Sequence, residues 1–467
     1  MQPVHVLRRV LGAMFGVALA LLLAARGTGV VGAASDDWPT YHHSADRAGL
    51  AAAGASFTDA QSAWVTGALD GAVYAEPLYV GGRVFVATEN NTVYAIDAAS
   101  GATVWQTHLA DAVAASALPC GNIRPSVGIT GTPTIDTATG TLYAAAMIGA
   151  KSYELYAVDT ASGSIVFQRP LDQPGLDAAA AGQRGALAFE QGRVYVPFGG
   201  RLGDCGNYHG QVVAASASDP NVPLLVYTTP AARAGMWSPG GLAIGDNGTL
   251  FAVTGNGEAS GPQGRTEAVI ALSPTLDELD VWQPADWQAL DRSDTDVGSI
   301  LPALLPDADL VFQTGKNGKG YLMRLGALGG VGGEVASAGM PPGCGSVFGA
   351  TAYASPILYV PCNSRLVALS VTGSPPAFSL AWSGPDETGH PTVGSPIVVA
   401  GAVWNIDLAG RLLALDAMTG TQRFQAAIPG QPPHFASLAY GGGQIYTATG
   451  EGVAAFRLVG LSPPAGE

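Results

Sequence analysis

Lysine is almost missing from this chain of 467 residues, which contains three lysines, and 36 acidic residues outnumber 21 basic ones. The formal net charge is −15. Such a surface repels phosphate backbones and anionic membranes, whereas a nucleic-acid-binding protein needs a basic stripe. No basic stripe occurs, so the charge balance excludes a nucleic-acid partner.

Helical periodicity is also missing, since no stretch repeats its apolar residues at a helical spacing. The chain instead has 64 glycines and 32 prolines. Glycine supplies the positive φ angles of tight turns, and proline fixes turn geometry. This composition predicts many short strands, and a hydrophobic content of 48% allows them to bury a large core.

The N-terminus carries Arg8 and Arg9 ahead of an apolar run over residues 10–25 and a small-residue stretch up to residue 34. This order is typical of a secretory signal peptide. The run is shorter than the about 20 residues that a membrane-spanning helix needs, so we predict cleavage, with an uncleaved anchor as the alternative. We therefore expect an exported protein, periplasmic or extracellular, without a membrane span once residues 1–34 are removed. Its lysine-poor, alanine-rich composition is typical of a GC-rich bacterial genome.

One short pattern recurs at three places in the chain. An apolar-Ala-apolar-Asp run is followed by a glycine four residues after the aspartate and by an aromatic residue four further on. The copies are residues 94–105, 156–167 and 413–424. The aspartate caps a turn through backbone N–H groups and the glycine takes the left-handed position, so each copy predicts a β-hairpin. The aromatic residue begins the next strand and can pack between repeats.

Entry strands mark eight repeats in total. Their central residues are 77, 133, 187, 242, 302, 356, 396 and 438. The eighth repeat ends after three strands, and residues 62–67 can supply its missing outer strand, because Trp64 matches Trp105 in register. Such pairing closes the ring and protects the sheet edges.

We therefore predict an all-β fold, an eight-bladed β-propeller of four-stranded antiparallel blades closed by the N-terminal strand. The propeller should span residues 62–460, after an N-terminal extension over residues 35–61 and before a disordered tail over residues 461–467. Seven blades are the alternative, because the fifth repeat is weak.

The four cysteines fit an exported protein, which meets oxidising conditions. No C-x-x-C pair occurs, so neither a zinc ribbon nor covalent haem is supported. Four cysteines allow three pairings, among which the sequence does not choose. We favour Cys120–Cys205, between loops of neighbouring blades, and Cys344–Cys362, within one blade.

The repeat over residues 95–105, Ala-x-Asp-x-x-x-Gly-x-x-x-Trp, resembles that of the pyrroloquinoline-quinone (PQQ) repeat propellers, the quinoprotein alcohol dehydrogenase superfamily. The opening segment, residues 37–43, is similar to the start of mature proteins in this group. The resemblance covers residues 36–460. It implies the fold but not the activity, because family members include calcium- and PQQ-dependent dehydrogenases and non-catalytic scaffolds, one of them an outer-membrane assembly factor.

An active quinoprotein needs a divalent cation that polarises the quinone and a carboxylate base. The resemblance places the calcium-binding asparagine at Asn256 and the catalytic aspartate at Asp294 or Asp296, and Trp237 is a second candidate for cofactor binding. On a strand, the two aspartates would face one side and suit a hard cation. An ordinary left-handed turn is the alternative for Asn256, and a solvated acidic loop is the alternative for the aspartates.

Two departures from the family count against quinone chemistry. The dehydrogenases carry adjacent cysteines over the quinone, whereas the corresponding loop here has Cys120 alone. The calcium-binding glutamate of the family falls on Cys205 by register with Gly210, and the neighbouring Asp204 would replace it only after a backbone shift. Loss of an acidic ligand weakens a calcium site.

We therefore predict a non-catalytic binding or scaffold protein, monomeric, that holds a protein or small-molecule ligand at one propeller face. The alternative is an oxidoreductase that uses PQQ and Ca²⁺ on alcohols or sugars. Its metal ligands would come from Asn256, Asp204 and Asp296, and its base would be Asp294 or Asp296. A hydrolase or lyase lacks a supporting nucleophile–base motif.

Overall fold

The structure is a computed structural model that describes residues 36–51, 56–149, 151–385, 394–407 and 409–462. The predicted signal peptide and residues 463–467 of the predicted tail lie outside the described residues. Within those ranges, no helix is long and apolar enough to cross a membrane.

Eight main sheets form the ring, and most run from an inner to an outer strand in chain order. Strand β1 (Asp59–Val65) comes first in the chain but belongs to the last sheet. Blade one contains β2 (Leu78–Val80), β3 (Arg83–Ala87), β4 (Thr92–Asp97) and β5 (Thr103–His108). The middle strands of this blade are almost wholly buried because blades pack against both of their faces, whereas the outer strand β5 is mostly exposed.

The following loop contains a two-stranded ribbon of β6 (Val113–Ala114) and β7 (Ser126–Val127). Blade two contains β8 (Thr134–Asp136), β9 (Thr141–Ile148), β10 (Ser152–Asp159) and β11 (Ile165–Pro170). Blade three contains β12 (Ala181–Gly182), β13 (Ala188–Glu190), β14 (Arg193–Gly200), β15 (His209–Ser216) and β16 (Leu225–Ala232).

Blade four contains β17 (Ala243–Ile244), β18 (Leu250–Val253), β19 (Val269–Leu272) and β20 (Glu278–Gln283). A short helix, α1 (Trp287–Ser293), separates it from blade five. Blade five contains β21 (Ala303–Leu305), β22 (Leu310–Gln313), β23 (Lys319–Arg324) and β25 (Ala336–Gly339), while β24 (Gly330–Val331) pairs in parallel with β20. The weak fifth repeat is therefore a complete blade.

Blade six contains β26 (Ala352–Ala354), β27 (Ile357–Cys362), β28 (Arg365–Gly373) and β29 (Pro376–Ser383). Blade seven contains β30 (Ile397–Val399), β31 (Ala402–Ile406), β32 (Arg411–Asp416) and β33 (Gln422–Ala427). Blade eight contains β34 (Leu438–Gly441), β35 (Gln444–Ala448) and β36 (Val453–Val459).

Strand β1 completes blade eight by pairing antiparallel with β36, and β2 touches β34, so the ring is closed. The prediction of an eight-bladed propeller closed by its N-terminal strand is confirmed. The closing strand begins at Asp59 rather than at residue 62, because Asp59, Ala60 and Gln61 also pair with β36.

Each of the three repeated hairpin turns receives an indole ring from the preceding blade. Asp97 Oδ1 accepts a hydrogen bond from the N–H of Ser100 at 2.9 Å, and Gly101 has a φ of +75°. A Cβ at Gly101 would lie 2.8 Å from the Trp64 ring, whose Nε1 donates to the carbonyl of Ala98 at 2.9 Å. The same docking recurs for Trp105 on Gly163 and for Trp382 on Gly420. Each turn therefore requires glycine both for its conformation and for the indole that it receives.

Both favoured disulfides are present in the structure. Cys120 bonds to Cys205 across 85 residues of sequence, and Cys344 bonds to Cys362 across 18 residues. The first joins the loop between blades one and two to a loop of blade three, and the second lies at blade six.

Residues 38–51, which we call the channel segment, lie at the centre of the ring among the inner strands. Backbone hydrogen bonds join the segment to the inner strands of blades one, two, four, six and seven, at Tyr79, Ile135, Ile244, Tyr353 and Val398. From the sequence alone, this part of the chain was expected to be only an N-terminal extension. It is instead an internal part of the fold that shares hydrogen bonds with most of the blades.

Glu76 anchors the channel segment to blade one. Its Oε1 accepts hydrogen bonds from Trp38 Nε1 at 2.7 Å and from the N–H of His42 at 3.0 Å, and its side chain is buried. Burial raises the pKa of Glu76 to about 8 and lowers the pKa of His42 to about 3. Both groups are therefore held largely neutral at pH 7.

The free energy of unfolding should fall as pH rises from 6.5 to 8.5, and we expect Glu76→Gln to make this fall smaller. Below its pKa of about 8, Glu76 of the folded protein retains a proton that the unfolded chain, with its ordinary glutamate pKa, has already lost, and this difference shrinks above that pH. The free energy of unfolding therefore falls as pH rises, by up to about 1.4 kcal/mol per pH unit for one such group. Glutamine keeps the acceptor and removes the titration.

Urea unfolding of the wild type and the variant at several pH values measures this difference in slope. Glu89, whose pKa burial raises to about 7, acts in the same direction and is present in both proteins. Because its pKa is lowered, His42 makes the free energy of unfolding rise with pH, but mainly below the ordinary histidine pKa, at the lower edge of this window. Equal slopes would contradict the assignment to Glu76.

Candidate functional site

Two sets of loops meet on one face of the ring, which we call the loop face. One set joins the second strand of each blade to the third, and the other joins each blade to the next. All candidate site residues lie in these loops. Trp237 lies between blades three and four, Asn256 follows β18, Asp294 and Asp296 follow α1, and Asp204 follows β14.

Lys316 lies among the candidates of blades four and five. Its Nζ is 2.9 Å from Asp294 Oδ1 and 3.4 Å from Asp296 Oδ2. The same ammonium group is 5.4 Å from the centroid of the Trp237 ring. The structure thus gathers one tryptophan and two aspartates around a lysine to which the sequence analysis gave no role.

Gly255 allows the Asn256 loop to approach Trp237 and Asp296 closely. A Cβ at Gly255 would lie 2.8 Å from Trp237 Nε1 and 2.9 Å from Asp296 Oδ2, so a larger residue would displace both side chains. Residues 255–257 all have negative φ angles. The segment is therefore not the left-handed turn considered as the alternative for Asn256, and its backbone packs against the predicted base.

The two aspartates do not lie on a strand, so the expectation that a strand would align them is wrong. Helix α1 ends at Ser293, and Asp294 follows it with a φ of +51°. The side chain of Asp294 is 71% exposed, whereas that of Asp296 is 1% exposed. They meet at Lys316 because the chain turns between them.

Two further acids lie beside Asp296. Glu267 is buried, and its Oε2 accepts a hydrogen bond from the N–H of Val297 at 2.8 Å. Asp291 accepts one from the Thr266 hydroxyl at 2.8 Å. Burial and the charge of Asp296 raise the pKa of Glu267 well above its ordinary value, and burial raises the pKa of Asp296 to about 6 against the pull of Lys316. Burial therefore favours the protonated form of Glu267, and Asp296 is paired with Lys316.

A second depression lies on the loop face beside blades one, two, three and eight. It consists of two adjoining pockets of about 390 and 490 Å³, open mouths included, which share Asn122, Thr130 and Arg184. Further lining residues of the two pockets include Arg124, Gln183, Arg201, Tyr74, His434 and Phe435. Sequence reasoning missed this site because its residues come from four separate parts of the chain.

A family model described as outer membrane protein assembly factor BamB matches residues 51–325, more than half of the chain. This protein belongs to that family of PQQ-repeat propellers. No curated protein matches the chain at a significant level of sequence similarity.

Solved structures of PQQ-type propellers have the same fold. The quinohemoprotein alcohol dehydrogenase from Comamonas testosteroni is 16% identical, with a TM-score of 0.68 over 92% of this chain and 82% of its own. A europium-containing methanol dehydrogenase is 14% identical, with a TM-score of 0.67 over 90% and 98%. BamB from Moraxella catarrhalis is 12% identical, with a TM-score of 0.59 over 85% and 100%. Identities this low show a shared fold alone.

The residues of this PQQ-repeat protein do not fit the calcium site that the family resemblance implies. Calcium takes six to eight oxygen ligands, but Cys205 is bonded to Cys120, and Asp204 Oδ1 accepts the hydroxyl of Tyr208 at 2.6 Å. The ammonium of Lys316 already contacts Asp296. In the part of the chain that the structure describes, no cluster of three acidic, histidine or cysteine side chains could hold a metal ion.

Proposed function

We propose that this protein is a non-catalytic binding or scaffold propeller that holds its ligand at the loop face. The observation that carries the proposal is the position of Lys316, whose Nζ is 2.9 Å from Asp294 and 3.4 Å from Asp296. An ammonium group between two candidate oxygen ligands neutralises them and repels a divalent cation. The missing glutamate, replaced by a disulfide-bonded Cys205, supports the same conclusion.

The two disulfides and the family support the setting that we propose for this function. Disulfides persist in oxidising compartments, so we propose that the protein is exported and acts as a monomer in the periplasm or outside the cell. The family description, an outer membrane protein assembly factor, supports a role in binding rather than in catalysis.

Oxidoreduction with PQQ and Ca²⁺ is the second candidate function. It is favoured by one observation, the meeting of Trp237, Asp296 and the Asn256 loop at a single place on the loop face. In that role, Asp296 would be the carboxylate that takes a proton from the substrate. Lys316 would then have to release Asp296 before the carboxylate could act.

Reconstitution of the purified mature protein with PQQ and CaCl₂ tests the choice between the binding protein and the oxidoreductase. We expect no quinone absorption band after gel filtration, no heat on titration with CaCl₂, and no dye reduction with alcohols or aldoses. The Asn256→Ala variant should behave in the same way as the wild type. A retained quinone band with dye reduction, both lost in Asn256→Ala, would overturn the proposal and establish the oxidoreductase.

A further inference from the structure

We infer that the second depression on the loop face binds the carboxylate group of a small organic acid through Arg184, next to an aromatic wall. This inference rests on the proposed function, since it names the ligand class for a binding face. The depression, which we call the arginine pocket, is defined by Arg124, Arg184, Arg201, Asn122 and Thr130. Its lining residues include none of those around Lys316.

The gathering of arginines is unusual for this chain, which has 21 basic residues and a net charge of −15. Three of these basic residues line one pocket. Within the described ranges, the ion pairs of the protein involve other cations, and none joins Arg124, Arg184 or Arg201 to a carboxylate. The pocket is thus a region of positive charge on an acidic protein, with no direct ion pair to its arginines, and it favours an anion.

Arg184 has the donors that this anion would use. In the described part of the chain, its hydrogen bonding is limited to a long contact of 3.5 Å from Nη2 to Asn122 Oδ1. Its guanidinium carbon lies 5.5 Å from the centroid of the Phe435 ring, within the range of a cation–π contact. A planar guanidinium with free N–H groups matches the two oxygens of a carboxylate.

Arg201 contributes a charge that is already held in place. The side chain is buried, its Nη2 donates to the Tyr153 hydroxyl at 2.9 Å, and its Nε donates to the carbonyl of Ala179 at 3.0 Å. The Cys120–Cys205 disulfide ties the loop that carries Asn122 and Arg124 to the loop that follows Arg201. This side of the pocket is therefore already ordered, so ligand binding costs little conformational entropy there.

Two buried acids lie at the depression, and Glu76, which lines it, is largely protonated at pH 7 because burial raises its pKa to about 8. Glu89 is buried within electrostatic range of Arg184 and Arg201, and its Oε2 accepts the N–H of Gly128 at 2.7 Å. Burial raises the pKa of Glu89 to about 7 even though both arginines lower it. Burial and the charge of Arg184 lower the pKa of His434, which disfavours its charged form. Protonation of Glu89 at lower pH removes the one competing charge.

The aromatic wall of the depression restricts the chemical class of ligand that it can bind. Tyr74, His434 and Phe435 line it, and the His434 and Phe435 rings lie 3.8 Å apart. Aromatic rings favour a flat, apolar ligand body, which a bare inorganic anion lacks. The combination with Arg184 therefore fits an aromatic or apolar acid better than phosphate.

Isothermal titration of the protein free of PQQ and Ca²⁺ tests the inference, with benzoate as the probe at pH 6 and low salt. We expect benzoate to bind, and uncharged benzamide and inorganic phosphate to bind at least about 10-fold more weakly, the difference a charge-assisted hydrogen bond supports. Arg184→Gln should lower benzoate affinity by about 10-fold or more. Arg193→Gln, in the same blade but outside the pocket lining, is the matched control and should not change it.

Absence of benzoate binding would overturn the inference, as would equal affinities in the two arginine variants. Binding of phosphate as tightly as benzoate would overturn the choice of an organic acid. These outcomes are separable from failure of the proposed function, because dye reduction after reconstitution would refute the non-catalytic role without any bearing on benzoate binding.

Discussion

Replacement of Arg47 by methionine should lower the free energy of unfolding by about 3–5 kcal/mol. Arg47 is 3% exposed and lies within the channel segment. Its Nη2 donates to the carbonyl of Leu187 at 2.9 Å, its Nε to that of Leu242 at 2.9 Å, and its Nη1 to that of Tyr41 at 2.8 Å. It therefore joins the segment to blades three and four.

Methionine fills much of the volume but leaves three buried carbonyl groups without donors. Each unsatisfied group costs about 1–3 kcal/mol, and partial relaxation keeps the sum near the stated range. Burial lowers the pKa of Arg47 to about 10, so the guanidinium remains charged at neutral pH.

Guanidinium chloride unfolding, followed by tryptophan fluorescence, measures the loss. The matched control is Arg457→Met, at an exposed position of β36, which should change stability by no more than about 0.5 kcal/mol. An Arg47 variant as stable as this control would show that the Arg47 hydrogen bonds add nothing measurable to the stability of the ring.

The blades could be predicted because their signals are local and repeated. A turn that needs both an aspartate and a left-handed glycine, such as Asp97 with Gly101, leaves a fixed spacing in the sequence. Ring closure was predictable for a different reason, since a repeat with three strands requires a fourth from elsewhere, and Trp64 stood in the matching register.

The channel segment left no such signal. Its φ angles change sign between neighbours, with His42, His43 and Arg47 all positive, so it has no period. Its hydrogen bonds go singly to strands that are distant in the sequence. Helix α1 was missed because its seven residues, held by buried Trp287 and Leu290, are too short to show a helical pattern.

The candidate site was predictable only where the family supplied a motif. Asn256, Asp294 and Asp296 came from that resemblance, whereas Lys316, which decides their chemistry, lies in a hairpin turn of the next blade. The scarcity of lysine was the one signal that could have marked it. Arg184 had none, because its pocket forms only when four distant segments meet.

Removal of the Cys120–Cys205 disulfide, as the Cys120→Ala and Cys205→Ala double variant, should lower the free energy of unfolding by about 4 kcal/mol. The bond closes a loop of 85 residues, and the loss follows from the chain entropy that the unfolded protein regains. Both cysteines are partly exposed, so the alanines leave little buried cavity.

The same variant should also weaken benzoate binding, because the bond holds the loop that carries Asn122 and Arg124 at the arginine pocket. The matched control is the Cys344→Ala and Cys362→Ala double variant, whose bond lies at blade six, outside the pocket lining. It should lose stability but keep its benzoate affinity. Denaturant unfolding and calorimetry on both double variants separate the two effects. A loss of stability below about 1 kcal/mol in the Cys120→Ala and Cys205→Ala variant would contradict the entropic account. Equal benzoate affinities of the two double variants would show that Arg184 is positioned without the disulfide.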